Sequence, residues 1–235
     1  MDDQSIWVLL LIMAAVAIGV WFIAHQVEKE RKEQLGAVAS RLGFEFSPES
    51  QPQMAEHLAR FPLFSQGHSK KAWNVMNGRA GDVKVQIFDY TFTTGVGKSS
   101  RNWAQTVFLF ESGRLRLPAF SLRPQGFWDK IAGAFGQQDI DFEANPEFSR
   151  AYILQGRDEG LVRTLFSEPV VAYYTRHPGL CVEGEGGQLI YYHRDPRVEP
   201  EQIPRFFQEG LDVLDLWIQK KGVAENLDLI GLEGV

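Results

Sequence analysis

The sequence predicts an α+β protein, with one N-terminal transmembrane helix followed by an antiparallel-sheet domain with flanking helices. Three patterns indicate this class: a charge-free apolar run near the start, then alternating apolar and polar residues between turns, then segments of helical period. The chain has 235 residues, 44% of them hydrophobic, which is enough apolar material for a buried core.

The apolar run covers residues 6–24 and contains no charged side chain. At about 1.5 Å per residue it spans roughly 28 Å, close to the thickness of a bilayer core. Trp7 and Trp21 lie near its two ends, where indole rings favour the headgroup region. The lipid bilayer is therefore an expected partner of residues 6–24.

This run differs from a cleaved signal peptide, which has a basic leader and a shorter apolar region that ends in small residues. Here the leader is MDDQS, and the run ends with bulky residues at 21–23. The nearest basic residues all follow the run, and such residues stay in the cytoplasm. We expect an uncleaved anchor with residues 1–5 outside and the C-terminal domain in the cytoplasm.

A juxtamembrane stalk helix is expected over residues 25–43, because opposite charges recur four residues apart and Gly43 is a typical stop. The soluble α+β domain is expected at 44–221 and a weakly structured tail at 222–235.

The domain divides into two expected halves, 44–136 and 139–221, in which the order strand, helix, hairpin, helix recurs as a possible pseudo-repeat. The first half is expected to hold a meander over 72–122, with strands at 73–76, 83–93, 103–111 and 115–122, a turn at 77–81, and then a helix at 125–135. The second half is expected to hold strands at 139–143 and 151–155, helices at 158–166 and 169–175, a hairpin around GEGG and a closing helix at 200–220.

The stretch TTGVGKSS, residues 93–100, resembles a phosphate-binding loop but departs from its pattern. Such a loop has a glycine where this chain has Phe92, and it leads into a helix, whereas WAQTVFLF is typical of a strand. Gly95 and Gly97 suit a loop between strands. No nucleotide or other cofactor is expected.

Asp89 is a charged residue at a strand position where alternation predicts an apolar one. By alternation it shares a face with Val85 and Ile87, so its carboxylate either reaches water or needs a donor such as Arg101. Asp89, Lys98 and Arg101 form the hypothetical ligand-binding set. A lone carboxylate does not make a catalytic site, so no catalytic residue is assigned.

The sequence gives little support for a metal site or a reactive thiol. Asp139, Asp141 and Glu143 could bind a hard cation, but the charged face of an edge strand is the preferred interpretation. The histidines lack the spacing of a transition-metal site, so no metal is expected. Cys181 is alone and fits a small buried thiol in a reducing compartment.

The segments QIFDYTFTTGVGKSSRNWAQTV, LPAFSLRPQGFWDKI and DIDFEANPEFSRAYILQGRDEGLVRTLF resemble a family of uncharacterised bacterial proteins with one N-terminal transmembrane helix. The likeness covers most of residues 42–166. It implies a location in the bacterial inner membrane and supplies no known activity or catalytic residue.

The function expected from the sequence is that of a protein-interaction or membrane-complex accessory module. Tyr90, Phe92 and Trp103 are the expected contact residues, because exposed aromatic side chains contribute much of the energy of an interface. The alternative is a membrane-tethered enzyme or a small-ligand or lipid sensor that uses the loop region from Asp89 to Arg101. The net charge of −6 opposes nucleic-acid binding, so no nucleic acid is expected as a partner.

Overall fold

The computed structural model describes residues 3–126, 139–193 and 196–218. A 40-residue helix, α1 (Asp3–Leu42), precedes an eight-stranded antiparallel sheet with flanking helices, which confirms the α+β class. The strands are β1 (Glu45–Ser47), β2 (His68–Ala80), β3 (Val83–Thr94), β4 (Arg101–Glu111), β5 (Leu117–Pro124), β6 (Tyr152–Gly156), β7 (Leu180–Gly186) and β8 (Gln188–His193). The helices after α1 are α2 (Pro52–His57), α3 (Pro62–Ser65), α4 (Pro146–Ala151), α5 (Glu159–Leu165), α6 (Glu168–Arg176) and α7 (Ile203–Ile218).

Helix α1 passes through two different surroundings without a break. Its side chains at 10–27 are exposed, whereas Leu35, Val38 and Ala39 are buried against the sheet. The helix ends where Gly43 takes a φ of +70°, as the sequence predicts. Within the described part of the chain, α1 is the one helix long and apolar enough to cross a membrane.

The strand order is β1-β2-β3-β4-β8-β7-β5-β6, so the predicted meander is wrong after β4. Strand β5 does not pair with β4, because the β7–β8 hairpin lies between them. The connection after β4 runs past the tip of that hairpin, where the Ser112 N–H donates to the Gly187 carbonyl at 2.9 Å. Local alternation predicts strands but does not specify their neighbours.

The β2–β3 turn also differs from the prediction. Strand β2 continues to Ala80, which pairs with Val83, and leaves a two-residue turn at Gly81 and Asp82. Gly81 has a φ of +61°, which such a turn requires. Gly78, expected in the turn, lies within β2 instead, where the Phe44 ring fills the space that a Cβ would occupy.

The sheet has a hydrophobic core on each face. On the first, which we call the α1 face, helices α1 and α7 cover residues such as Val85, Ile87 and Phe108. On the second, the α2 face, helices α2 and α3 cover Phe88 and Cys181, which is buried as predicted. Strand alternation therefore sends neighbouring residues of β3 into different cores.

The second half contains one wrong prediction and several confirmed ones. Helix α5 begins after Asp158, whose carboxylate accepts from the Leu161 N–H at 3.0 Å, and α6, the β7–β8 hairpin and α7 follow as expected. Residues 139–143 are not a strand. The Ile140 N–H does donate to the Leu154 carbonyl, but the return bond from the Leu154 N–H goes to the Asp139 side chain.

Two predictions fall on parts of the chain outside the described residues: most of the helix at 125–135 and the tail at 222–235. The division into two halves stays a prediction.

Candidate functional site at the junction of α1 and the sheet

Asp89 of β3 lies at the centre of a polar network where α1 meets the sheet. Its side chain is 1% exposed and forms a two-pronged ion pair with Arg31 of α1. Arg31 Nε lies 2.9 Å from Asp89 Oδ2, and Arg31 Nη2 lies 2.8 Å from Oδ1. Burial opposes the charge on Arg31, but the bond to Asp89 raises the pKa of the guanidinium above its ordinary value.

Neutral donors complete the surroundings of the Asp89 carboxylate. The amide of Asn74 donates to Oδ2 at 3.0 Å, and the hydroxyl of Thr106 donates to Oδ1 at 3.1 Å. Arg197 adds a positive charge 3.6 Å from Oδ2. The donor expected from the sequence, Arg101, is not among these groups. Asp89 is therefore a structural partner of helix α1.

Glu28 makes a second polar attachment one turn closer to the apolar part of α1. Its carboxylate accepts from Trp73 Nε1 at 2.9 Å, from Asn74 Nδ2 at 3.2 Å and from Arg197 Nη1 at 2.9 Å. Burial alone would raise the pKa of Glu28, but the bonds from Trp73, Arg197 and Asn74 lower it. Helix α1 is thus fixed to β2, β3 and the segment before α7.

The structure does not bring the predicted ligand-binding set together. In the β3–β4 ladder Asp89 pairs with Thr106, whereas Arg101 pairs with Thr94, five residues further along β3 and about 17 Å away. Lys98 is exposed in a short 3-10 helix at the hairpin tip, so TTGVGKSS is a loop between strands, as predicted. The Arg101 guanidinium lies over the Trp103 ring at 3.9 Å.

The predicted contact residues are less accessible than expected. Tyr90 and Phe92 belong to the core of the α2 face and are at most 1% exposed, and only Trp103 is half-buried. Their positions alternate with Asp89 along β3, so they point away from α1 under helix α3, where Phe64 packs on Tyr90. The expectation that Tyr90 and Phe92 are exposed is wrong.

A groove of about 490 Å³ lies beside the polar network. Val27 and Ala104 contribute apolar surface to it, and Glu30, Glu199 and Glu201 contribute carboxylates. The two guanidinium groups in its wall, from Arg31 and Arg197, already bind Asp89 and Glu28. The described lining therefore combines apolar side chains with three carboxylates.

A second groove, of about 620 Å³, lies across the opposite end of the sheet. Its polar side chains bind one another, since Lys84 Nζ lies 2.8 Å from Glu111 Oε1, and Gln86 Nε2 lies 2.7 Å from Asn77 Oδ1. Within the described residues no group of three or more His, Cys, Asp or Glu side chains could hold a metal ion. Asp139, Asp141 and Glu143 belong to no such group.

Sequence reasoning missed two buried ionisable side chains, Arg31 and Glu183. Arg31 occupies the apolar stripe of α1, four residues before Leu35 and seven before Val38, and this spacing could have revealed it. Glu183 of β7 is 1% exposed on the α2 face and accepts from the Leu63 N–H and the Tyr192 hydroxyl. Glu183 lies two residues after Cys181, which is predicted to be buried, so strand alternation could have revealed that Glu183 is buried too.

Comparisons with known proteins support the fold and no particular activity. No family model and no curated protein matches the chain, so the resemblance to a family of uncharacterised bacterial proteins stays an expectation. A solved structure that matches is the crystal structure of the mycobacterial trehalose monomycolate transport factor A, TtfA. The TM-score is 0.56 at 12% identity, and the match covers 80% of this chain and 92% of that one. At this identity the likeness concerns the fold alone.

Proposed function

We propose that this protein is an accessory module of the bacterial inner membrane that binds a protein partner at the cytoplasmic surface. Residues 6–24 cross the bilayer, residues 1–5 lie outside, and the sheet domain lies in the cytoplasm. The observation that carries the proposal is the unbroken α1, which runs from an exposed apolar segment into a buried ion pair with the sheet.

Rigid attachment is the physical argument for a positioning role. The apolar segment ends at Ala24, and Glu28 and Arg31 already bind the sheet within two helical turns. Freeing the domain from α1 would expose Leu35 and Val38 and remove the two bonds from Arg31 to Asp89. The domain is thus held at a fixed distance from the membrane.

The groove beside α1 supplies the partner surface. Val27 and Ala104 supply apolar surface and Glu30, Glu199 and Glu201 supply carboxylates, and this combination fits an amphipathic helix with basic residues. The groove adjoins the predicted end of the membrane span, so a juxtamembrane helix of another membrane protein is the partner class that fits. The shared fold with a transport factor is consistent with an accessory role in a membrane complex.

Charge reversal of the groove tests this function. The full chain carries a C-terminal green fluorescent protein, which fluoresces if the domain is cytoplasmic, and is purified from membranes after cross-linking. We expect Glu30→Lys with Glu199→Lys to lose a cross-linked membrane partner that the native chain retains. The matched control, Glu147→Lys with Glu168→Lys on exposed positions of α4 and α6, should keep it. Equal retention by the groove variant would refute the partner site, and a dark fusion would refute the orientation.

A further inference from the structure

The tip of the β3–β4 hairpin points towards the membrane side of the molecule. Along α1, Glu28 binds Asn74 of β2, and the Phe44 ring just past the helix end lies against Gly78 of the same strand. Helix α1 and strand β2 therefore advance in the same direction, away from the membrane span. Strand β3 runs antiparallel to β2, so its C-terminal end and the following loop extend back towards the span.

The level of the tip follows from the groove that α1 and β4 share. Val27 and Ala104 both line this groove, which places them at a similar level. The three residues from Ala104 back to Arg101 cover about 10 Å of strand, and the three residues from Val27 back to Ala24 cover about 5 Å of helix. Arg101 and the loop before it therefore reach the level at which the apolar run ends.

The composition of the tip is unusual for this molecule. Val96 is 78% exposed, and among the described residues it is the one large hydrophobic side chain outside α1 that is exposed. Lys98 and Arg101 flank it, and no acidic residue occurs between 93 and 104. At the opposite end of the sheet, by contrast, Arg114 pairs with Asp82 at 3.1 Å.

The loop holds Val96 outwards in a defined conformation. The carbonyl of Val96 accepts from the Ser99 hydroxyl at 2.9 Å, and the carbonyl of Gly95 lies 3.0 Å from His68 Nε2. Gly95 has a φ of +74°, and a Cβ there would lie 2.5 Å from the Ser99 carbonyl oxygen. Little conformational entropy is therefore lost when this tip meets a surface.

We propose that the β3–β4 hairpin tip, residues 94–101, is a second membrane contact, which inserts Val96 among anionic lipid headgroups that Lys98 and Arg101 bind. The inference rests on the membrane span of the proposed function. Its partner is the lipid surface itself, because anionic headgroups attract basic side chains and the interface accepts an apolar one. Together with α1, the tip would give the domain two points of attachment, which fixes its tilt.

Depth-dependent quenching in nanodiscs tests the contact. The full chain is labelled with a fluorophore at Val96→Cys or, as a control, at Gly113→Cys in the turn at the opposite end of the sheet, where an added Cβ meets no atom within 4 Å. Native Cys181 is buried and stays unlabelled in the folded protein. Nitroxide-headgroup lipids report proximity in discs of phosphatidylcholine alone and in discs that also contain phosphatidylglycerol.

We expect strong quenching at position 96 in the anionic discs, weaker quenching in the neutral discs, and none above background at position 113. Lys98→Ala with Arg101→Ala should lower the ratio of docked to free tip by roughly five-fold for each lost charge. The matched pair Lys84→Ala with Arg114→Ala, at the opposite end, should leave quenching unchanged.

Three results would overturn the inference: no quenching at 96 in anionic discs, equal quenching in neutral discs, or no effect of the Lys98 and Arg101 substitutions. In each case the chain is still in the disc, so the membrane span survives. A chain that fails to enter discs refutes the span and the proposed function along with the contact.

Discussion

Asp89 and Glu183 are two buried carboxylates of one sheet with opposite surroundings. Each is 1% exposed, Asp89 on the α1 face and Glu183 on the α2 face. Asp89 receives a guanidinium with two bonds, whereas Glu183 receives the Leu63 N–H at 3.1 Å and the Tyr192 hydroxyl at 2.9 Å. Burial raises the pKa of Glu183 to about 7, against an ordinary value of 4.5.

The difference lies in how each carboxylate is compensated for leaving water. At Asp89 a guanidinium makes two charge-assisted bonds, whereas the neutral donors at Glu183 offset only part of the cost of burial. The Arg31–Asp89 pair fixes helix α1 to the sheet on the α1 face. On the α2 face, Glu183 ties the α3 segment to the sheet through the bond that it accepts from the Leu63 N–H.

The largest expected effect is on the charged pair. Arg31→Leu removes the cation that makes two bonds to the buried Asp89 carboxylate and leaves only Arg197, at 3.6 Å, which should lower the free energy of unfolding by about 3–5 kcal/mol. Denaturation of the full chain in detergent, followed by circular dichroism, measures the loss. The double variant Arg31→Leu with Asp89→Leu should recover much of it, because neither charge is then buried. A single-variant loss below about 1 kcal/mol would show that the pair does not hold α1.

A smaller effect is expected from the pH dependence of Glu183. Its folded-state pKa is about 7 and its ordinary value is 4.5, so the folded state binds the proton more tightly between these values. The free energy of unfolding should therefore fall as pH rises through this window, by at most about 1.4 kcal/mol per pH unit, and level off above it.

The variant Glu183→Gln cannot titrate and should remove this slope. Denaturation midpoints of both chains across the window measure the difference. Glu28 contributes the opposite sign, because its lowered pKa gives stability that is lost as pH falls below the ordinary value. Parallel profiles for the two chains would mean that Glu183 is not the titrating group.

The smallest effect on the free energy of unfolding is expected at an exposed ion pair. Lys84 and Glu111 lie 2.8 Å apart with side chains 62% and 42% exposed. Lys84→Ala should change the free energy of unfolding by about 0.2–1 kcal/mol, and added salt should shrink the difference. If Lys84→Ala lowered the free energy of unfolding as much as Arg31→Leu does, burial could not explain why the Arg31–Asp89 pair holds α1 strongly.

Local chemistry in the sequence predicted much of the fold. The apolar run, the stop at Gly43 and the aspartate cap of α5 depend on neighbours in sequence, so they could be inferred. The insertion of β7 and β8 between β4 and β5 depends on contacts between residues about 80 positions apart, such as Val107 with Tyr192. Periodicity carries no information about such pairing.

The candidate site was predicted only in part, for the same reason. Alternation leaves two alternatives for Asp89, a carboxylate in water or one that points inward to a donor. The structure shows the second, but the cation comes from 58 residues earlier in the chain, on a helix whose packing on the sheet the sequence does not specify. The same alternation placed Tyr90 and Phe92 on the opposite face, and their burial there required helices α2 and α3 above them. Arg101 is near Asp89 in sequence, but the geometry of the strands keeps it away from the carboxylate.

The side chain of Asp139 protects one edge of the sheet from other molecules. Its carboxylate accepts the Leu154 N–H at 2.8 Å and so occupies the bonding position that a strand added beside β6 would use. An open strand edge invites pairing between molecules, and a side chain that already bonds this edge prevents such pairing at this position.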